Sequence, residues 1–226
     1  MQFGMGLFSN VTPGVMGLGY ASLEAVPNGT AYLNLVDQMV SQGIIASRTY
    51  SLYLNDLDAA SGTILFGGVD TQKFSGTLHT IPINPDLGGG ISAFYITLTG
   101  IGLTPPWNSS TAIGPPSVSP LNVLLDSGST FIALPAILAN AIAAGLGASL
   151  DDLGFYDLPN CDSQFSNDFV DFEFSGIKIS VPYSEFIVKD AAGCFLGLQT
   201  LNSTGCGTLG DTFLRSAYVV YDLVLH

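Results

Sequence analysis

Basic residues are the scarcest feature of this chain. Five lysines and arginines stand against eighteen aspartates and glutamates in 226 residues, a formal net charge of −13. With so few cations to neutralise phosphates, the composition argues against nucleic acid as a partner. An anionic membrane surface is disfavoured for the same reason. No run reaches the roughly 18 consecutive apolar residues expected of a membrane-spanning helix. The two histidines, His79 and His226, and the three cysteines lie too far apart for zinc-ligand spacing. No phosphate-cradling glycine motif precedes a helix. The chain therefore implies no metal and no cofactor. Residues 1–20 also lack the basic segment and continuous apolar core of a signal peptide.

What is present points to a folded, turn-rich protein. Hydrophobic residues make up 47% and charged residues 10%, enough to build a sizeable core. Twenty-seven glycines and twelve prolines spread along the chain favour an all-β class with a few short helices. The acidity reads either as solubility or as tolerance of low pH. Four N-glycosylation sequons, at Asn10, Asn28, Asn108 and Asn202, favour a secretory route. Cys161 and Cys194 flank a loop that a disulfide could close, as an oxidising compartment allows. Cys206 is left odd, either a buried thiol or one half of a bond to a cysteine outside this chain.

Local patterns place the elements. Val15–Gly19 reads as a small apolar strand, and residues 30–42 as a short amphipathic helix with Asn28 or Thr30 as N-cap and Gly43 at its end. Residues 50–54 alternate as a strand, 58–62 form a turn, and 63–66 a buried strand. Residues 78–83 read as a further strand closed by Pro85. The Pro- and Gly-rich stretch 84–92 is the best linker, dividing residues 1–85 from 86–226. Residues 94–103 alternate as a strand, and 104–120 form an excursion holding Trp107. Pro135 suits the first turn of a helix that runs to Gly147. Phe169–Phe174 alternates acidic and aromatic residues, as a half-buried strand would. Residues 177–181 and 218–223 complete the set.

One run carries chemistry: Leu124-Leu125-Asp126-Ser127-Gly128-Ser129-Thr130. Two aliphatics anchor a strand, and a carboxylate follows. Gly128 permits a tight turn close to that carboxylate, and neighbouring hydroxyls can donate hydrogen bonds to it. The chain holds no second Asp-Ser/Thr-Gly.

Jointly with Gln2-Phe3-Gly4, Gly14–Tyr20, Tyr50–Leu54, Gly62–Asp70 and Leu209–Tyr218, this run resembles the C-terminal two-thirds of a pepsin-like aspartic protease, of the fungal secreted or cell-surface type. The resemblance implies a bilobal acid protease fold with the first lobe incomplete. Residues 1–85 would be the remainder of the N-terminal lobe, and 86–226 the C-terminal lobe. It implies an aspartic endopeptidase that hydrolyses proteins or peptides at acidic pH. Asp126 would be one of two catalytic carboxylates sharing a proton. Gly128, Ser129, Thr130 and Leu124 would contact substrate, and Asp211 would pair structurally with Arg215. By family order the first catalytic Asp and the flap tyrosine precede Met1. The chain alone is then expected to be inactive and poorly stable, with the missing N-terminal part of the same enzyme as its partner, or a second copy bringing two Asp126 loops together. The alternative reading is a non-catalytic pepsin-like binding protein. The implied location is extracellular or cell-surface, with the vacuole as the alternative.

Overall fold

In a computed structural model, residues 14–23, 32–85, 89–104, 111–113, 120–161, 167–191, 193–201 and 206–224 are described. A 3-10 turn, Ala21–Leu23, is followed by α1 (Leu35–Ser41), β1 (Thr49–Tyr53) and β2 (Thr63–Phe66). Then come β3 (Tyr95–Leu98), β4 (Gly100–Thr104), β5 (Thr111–Ala112), β6 (Leu121–Leu125) and β7 (Ile132–Pro135). Helix α2 (Ala136–Leu146) leads to β8 (Ser149–Leu150), β9 (Tyr156–Leu158), β10 (Phe169–Phe174) and β11 (Ile177–Pro182). The series ends with α3 (Tyr183–Phe186), β12 (Ile187–Lys189), β13 (Cys194–Leu196), β14 (Leu198–Leu201), β15 (Cys206–Leu209), α4 (Asp211–Leu214) and β16 (Val219–Asp222). The fold is predominantly β with short helices, consistent with a pepsin-like architecture.

Four sheets organise these strands. The five-stranded sheet has the order β14-β7-β15-β6-β3. In it β15 runs parallel to β6, with Leu209 beside Leu125, and β14 runs parallel to β7. Two four-stranded sheets have the orders β11-β10-β4-β5 and β12-β13-β9-β8. The fourth, β16-β1-β2, joins a late strand to two early ones.

Side-chain period explains the main core. On β6, Leu121 and Val123 are buried and Asn122 is exposed; on β10, Val170, Phe172 and Phe174 all face inward. Ile132, Leu134, Leu138 and Ile142 from β7 and α2 fill the same cluster. Each fully buried Leu, Ile or Phe contributes about 1.5–3 kcal/mol. Helix α2 stops at Gly147, whose left-handed φ of 74° closes the last carbonyls. A second, aromatic cluster joins Tyr20, Val36, Tyr50, Phe94, Tyr221 and Leu223. There Tyr50 stacks on Tyr221 with ring centroids 4.8 Å apart. The disulfide Cys161–Cys194 ties β13 to the chain just past β9.

Several local expectations fail, each for a tertiary reason. Residues 15–19 form no strand, and Val15 is 85% exposed, because no neighbouring strand pairs with them among the described residues. The same holds for 78–83, which lie extended without a ladder partner there. The N-cap of α1 is Asn34, whose side chain accepts the Asp37 N–H at 2.8 Å, rather than Asn28 or Thr30. Strand β2 is not buried: Thr63 and Leu65 are on its solvent-facing side, while Ile64 and Phe66 pack against the aromatic cluster. The expected strand over 94–103 breaks at Thr99 into β3 and β4, which join different sheets.

Asp171 departs furthest from the alternation reading. It is fully buried rather than solvent-facing. The Thr104 hydroxyl, the Ser180 hydroxyl at 2.5 Å and the Lys178 ammonium at 3.3 Å all donate to it. A carboxylate can be withdrawn from water when donors replace its hydration in this way.

Cys206 is half-exposed at the start of β15, which corrects the buried-thiol reading. The four sequon asparagines and Trp107 lie outside the described residues.

Candidate active site

Strand β6, an inner strand of the five-stranded sheet, delivers Asp126 to a turn at its C-terminal end, and the turn clamps its carboxylate. Oδ1 accepts the Gly128 N–H at 2.9 Å, and Oδ2 accepts the Ser129 hydroxyl at 2.7 Å. The Asp126 carbonyl accepts the Ser129 N–H at 3.2 Å, closing the turn. The Asp126 N–H in turn donates to the Leu209 carbonyl at 3.1 Å, so β15 holds the carboxylate's own backbone. The bonds from Gly128 and Ser129 fix the orientation of the carboxylate.

Beyond β15 the chain turns beside the loop. Asp211 and Thr212 donate their N–H groups to the carbonyls of Ser129 and Thr130, at 2.8 and 3.1 Å. The buried Thr212 hydroxyl adds a bond to the Thr130 carbonyl at 3.2 Å. Gly210 makes this crossing feasible: a Cβ there would lie 2.3 Å from the Ser129 carbonyl oxygen and 2.5 Å from that of Phe131.

The structure brings Asp126, Gly128, Ser129 and Thr130 together on one turn, with Gly128 and Thr130 exposed and Asp126 and Ser129 half-buried. Leu124 is half-buried on the face of β6 opposite Val123 and Leu125, and it belongs to neither buried cluster. An apolar cleft of about 610 Å³ reaches Leu125 but not Asp126; Phe94, Ile96, Phe213, Tyr218 and Tyr221 help to line it.

The expected Asp211–Arg215 pair does not form. Arg215 Nε instead meets Glu185 Oε2 at 2.7 Å, and Arg215 Nη2 donates to the Glu185 carbonyl at 3.2 Å. Asp211 Oδ1 is left buried without a hydrogen-bond partner. Burial pushes the Asp211 carboxyl above its ordinary value; the Arg215 guanidinium pulls it back and the nearby Asp126 raises it further. An acid whose folded pKa is raised favours the fold below its unfolded value of 3.8, and that favour is lost as pH rises through the folded value. Asp211→Asn therefore gains melting temperature relative to the parent as pH rises from about 3 to about 7. A difference independent of pH would reject this assignment.

Tyr50 and Tyr221 sit in the aromatic cluster close enough to Asp126 to feel its charge. Burial raises both hydroxyls well above the ordinary tyrosine range, with further contributions from neighbouring tyrosines and from Asp126.

These features match a known pattern along almost the whole chain: residues 4–225 fit the model of the eukaryotic aspartyl proteases. This chain belongs to that family. Aspartic proteinase 3 of Saccharomyces cerevisiae is 40% identical over 238 residues, covering 99% of this chain and 41% of that protein. The probable aspartic-type endopeptidase opsB of Aspergillus oryzae is 39% identical, covering 98% and 47%. Secreted aspartic protease 8 of Candida albicans is 35% identical over 223 residues, covering 98% and 49%. The aspartyl protease chain thus spans about half the length of these curated relatives. Among its described residues, no helix is long and apolar enough to cross a membrane.

Two features of this aspartyl protease loop escape a sequence reading. Thr212 lies in the recognisable run 209–218, but its hydroxyl bond to Thr130 depends on the crossing. Glu185 carries no local signal at all; it meets Arg215 only because α3 and α4 pack together.

Proposed function

We propose that this chain is one part of an aspartic endopeptidase that hydrolyses peptide bonds of proteins at acidic pH. Asp126 is one of its two catalytic carboxylates. The observation that carries this reading is the clamped carboxylate: Asp126 receives the Gly128 N–H and the Ser129 hydroxyl on a turn locked by β15. Two such carboxylates side by side share a proton. One activates a bound water as general base, and the other protonates or hydrogen-bonds the scissile carbonyl. The pair titrates as a unit, which sets an acidic working range.

This chain has one Asp-Ser/Thr-Gly, so we assign the second carboxylate to sequence outside it. Residues 1–85 and 86–226 act as lobe remainder and complete lobe. Support comes from the larger core, whose buried residues all lie within 86–226, whereas the smaller aromatic core draws on both parts. We assign Gly128, Ser129 and Thr130 to substrate contact, with Gly128 and Thr130 exposed on the turn, and Leu124 to apolar wall. Secretion or surface display follows from the sequons and from the name of the Candida relative. On its own the 226-residue chain is inactive, since a lone carboxylate lacks its acid partner.

The test joins this chain to the reading frame upstream of Met1. A product carrying a second Asp-Thr/Ser-Gly and cleaving denatured protein at acidic but not neutral pH supports the reading, with the isolated chain inert. An in-frame stop upstream, or acid proteolysis by the isolated chain, rejects the division of labour proposed.

A further inference from the structure

Glu185 lies far from Asp126 in sequence, yet it joins three segments. Both of its carboxylate oxygens accept the Leu57 N–H, each at 3.1 Å. Its Oε2 also receives Arg215 Nε at 2.7 Å, and its own carbonyl receives Arg215 Nη2 at 3.2 Å. The side chains are only 13% and 10% exposed, so the pair is largely shielded from solvent. A shielded, two-point Arg contact is geometrically demanding, unlike a surface ion pair.

Each partner leads somewhere. Leu57 sits in the loop joining β1 to β2, which is braced internally: Tyr53 Oη donates to Asn55 Oδ1 at 3.0 Å, and Asn55 Nδ2 to the Ser61 carbonyl at 3.1 Å. Arg215 directly follows α4, and its N–H donates to the Asp211 carbonyl at 3.0 Å. Asp211 and Thr212 in turn donate to the Ser129 and Thr130 carbonyls of the Asp126 turn. A continuous run of polar contacts thus joins the β1–β2 loop to the catalytic turn through Glu185 and Arg215.

We propose that Glu185 is a positioning residue: it fastens the β1–β2 loop to α4 and so holds the part of the molecule before residue 86 in register with the Asp126 turn. The catalytic consequence rests on the function proposed above; the mechanical one does not. In the isolated 226-residue chain, Glu185→Ala exposes the Leu57 amide to hydrogen exchange and also speeds exchange at Asp211 and Thr212. Glu185→Gln, which keeps one acceptor oxygen for the Leu57 N–H, preserves most protection at Leu57. Faster exchange at Leu57 alone would reduce Glu185 to a local tether and overturn the proposal, as would no change at all. If the alanine variant fails to fold, Arg215→Lys keeps the charge but loses the two-point contact; exchange must then rise at 211–212 while Leu57 stays protected.

In the longer, active product, Glu185→Ala lowers kcat roughly ten- to a hundredfold, as misplaced catalytic groups do. KM stays within about twofold, and the glutamine variant lies closer to the parent. A raised KM with kcat unchanged would overturn the catalytic part. An inactive longer parent would defeat the functional reading instead, leaving the exchange measurements to decide the latch.

Discussion

Asp126→Asn in the longer protein lowers kcat for acid proteolysis by about 10⁴-fold, the upper end of what general acid–base catalysis contributes. The substitution is isosteric. Its side-chain oxygen still accepts the Gly128 N–H, which lies 2.9 Å from Oδ1 in the parent. The turn, the β15 crossing and the hydrophobic core are untouched, so unfolding transitions should coincide within about 0.5 kcal/mol. What disappears is the carboxylate that, in the function proposed above, shares a proton with its partner. The loss therefore falls on kcat rather than on KM. The measurement is steady-state cleavage of a denatured protein across the acidic range, paired with thermal unfolding of each variant. Retention of more than about a tenth of the activity would exclude Asp126 from the chemistry.

Gly210→Ala destabilises the chain by about 3 kcal/mol, the upper range for forcing an extra methyl into a packed site. The backbone at Gly210 has φ −88° and ψ −159°, a conformation open to any residue, so the penalty is steric alone. The added Cβ would stand 2.3 and 2.5 Å from the carbonyl oxygens of Ser129 and Phe131. Neither can move aside freely, because both belong to the backbone of the Asp126 turn and of the residue that leads into β7. Relief requires breaking the Asp211-to-Ser129 bond, which is 2.8 Å long. Gly68→Ala is the matched control: its Cβ would meet Leu65 Cδ2 at an ordinary 3.6 Å. For a chain of this size the 210 variant should melt roughly 6–12 °C lower, and the 68 variant close to the parent. Equal shifts would show that the crossing is not the constraint.

These outcomes bear on what a sequence can convey. The strand and turn after residue 121 and the helix start at Pro135 were legible because each signal is local, an aliphatic run, an Asp-Ser-Gly turn and a proline before a helix, whereas β7 (Ile132–Pro135) carried no such signal. The strand Phe169–Phe174 was legible in its bounds but not in its polarity. Asp171 looks solvent-facing by period, and only the partners on β4 and β11 reveal the donors that allow its burial. Residues 15–19 and 78–83 have strand-like composition, yet pairing is a property of two segments. Composition describes one segment at a time and cannot report a missing neighbour. The Asp211–Arg215 expectation followed the same logic. Four residues apart, the two invite a local pair, but α3 supplies a better-placed carboxylate from Glu185. The turn that holds Asp126 was therefore readable, and the contacts that hold the turn were not.

The sheet β16-β1-β2 has a consequence for synthesis. Thr49 stands opposite Asp222 in the β1–β16 ladder, about 170 residues apart along the chain. During translation, β1 and β2 emerge long before the strand that completes them. The aromatic cluster must wait as well, since Tyr221 supplies the ring that stacks on Tyr50. The early hairpin therefore has one edge open and its apolar face wet while the residues between β2 and β16 are made, a state prone to wrong pairings. Chaperone capture over that interval would therefore bear on the yield of folded product.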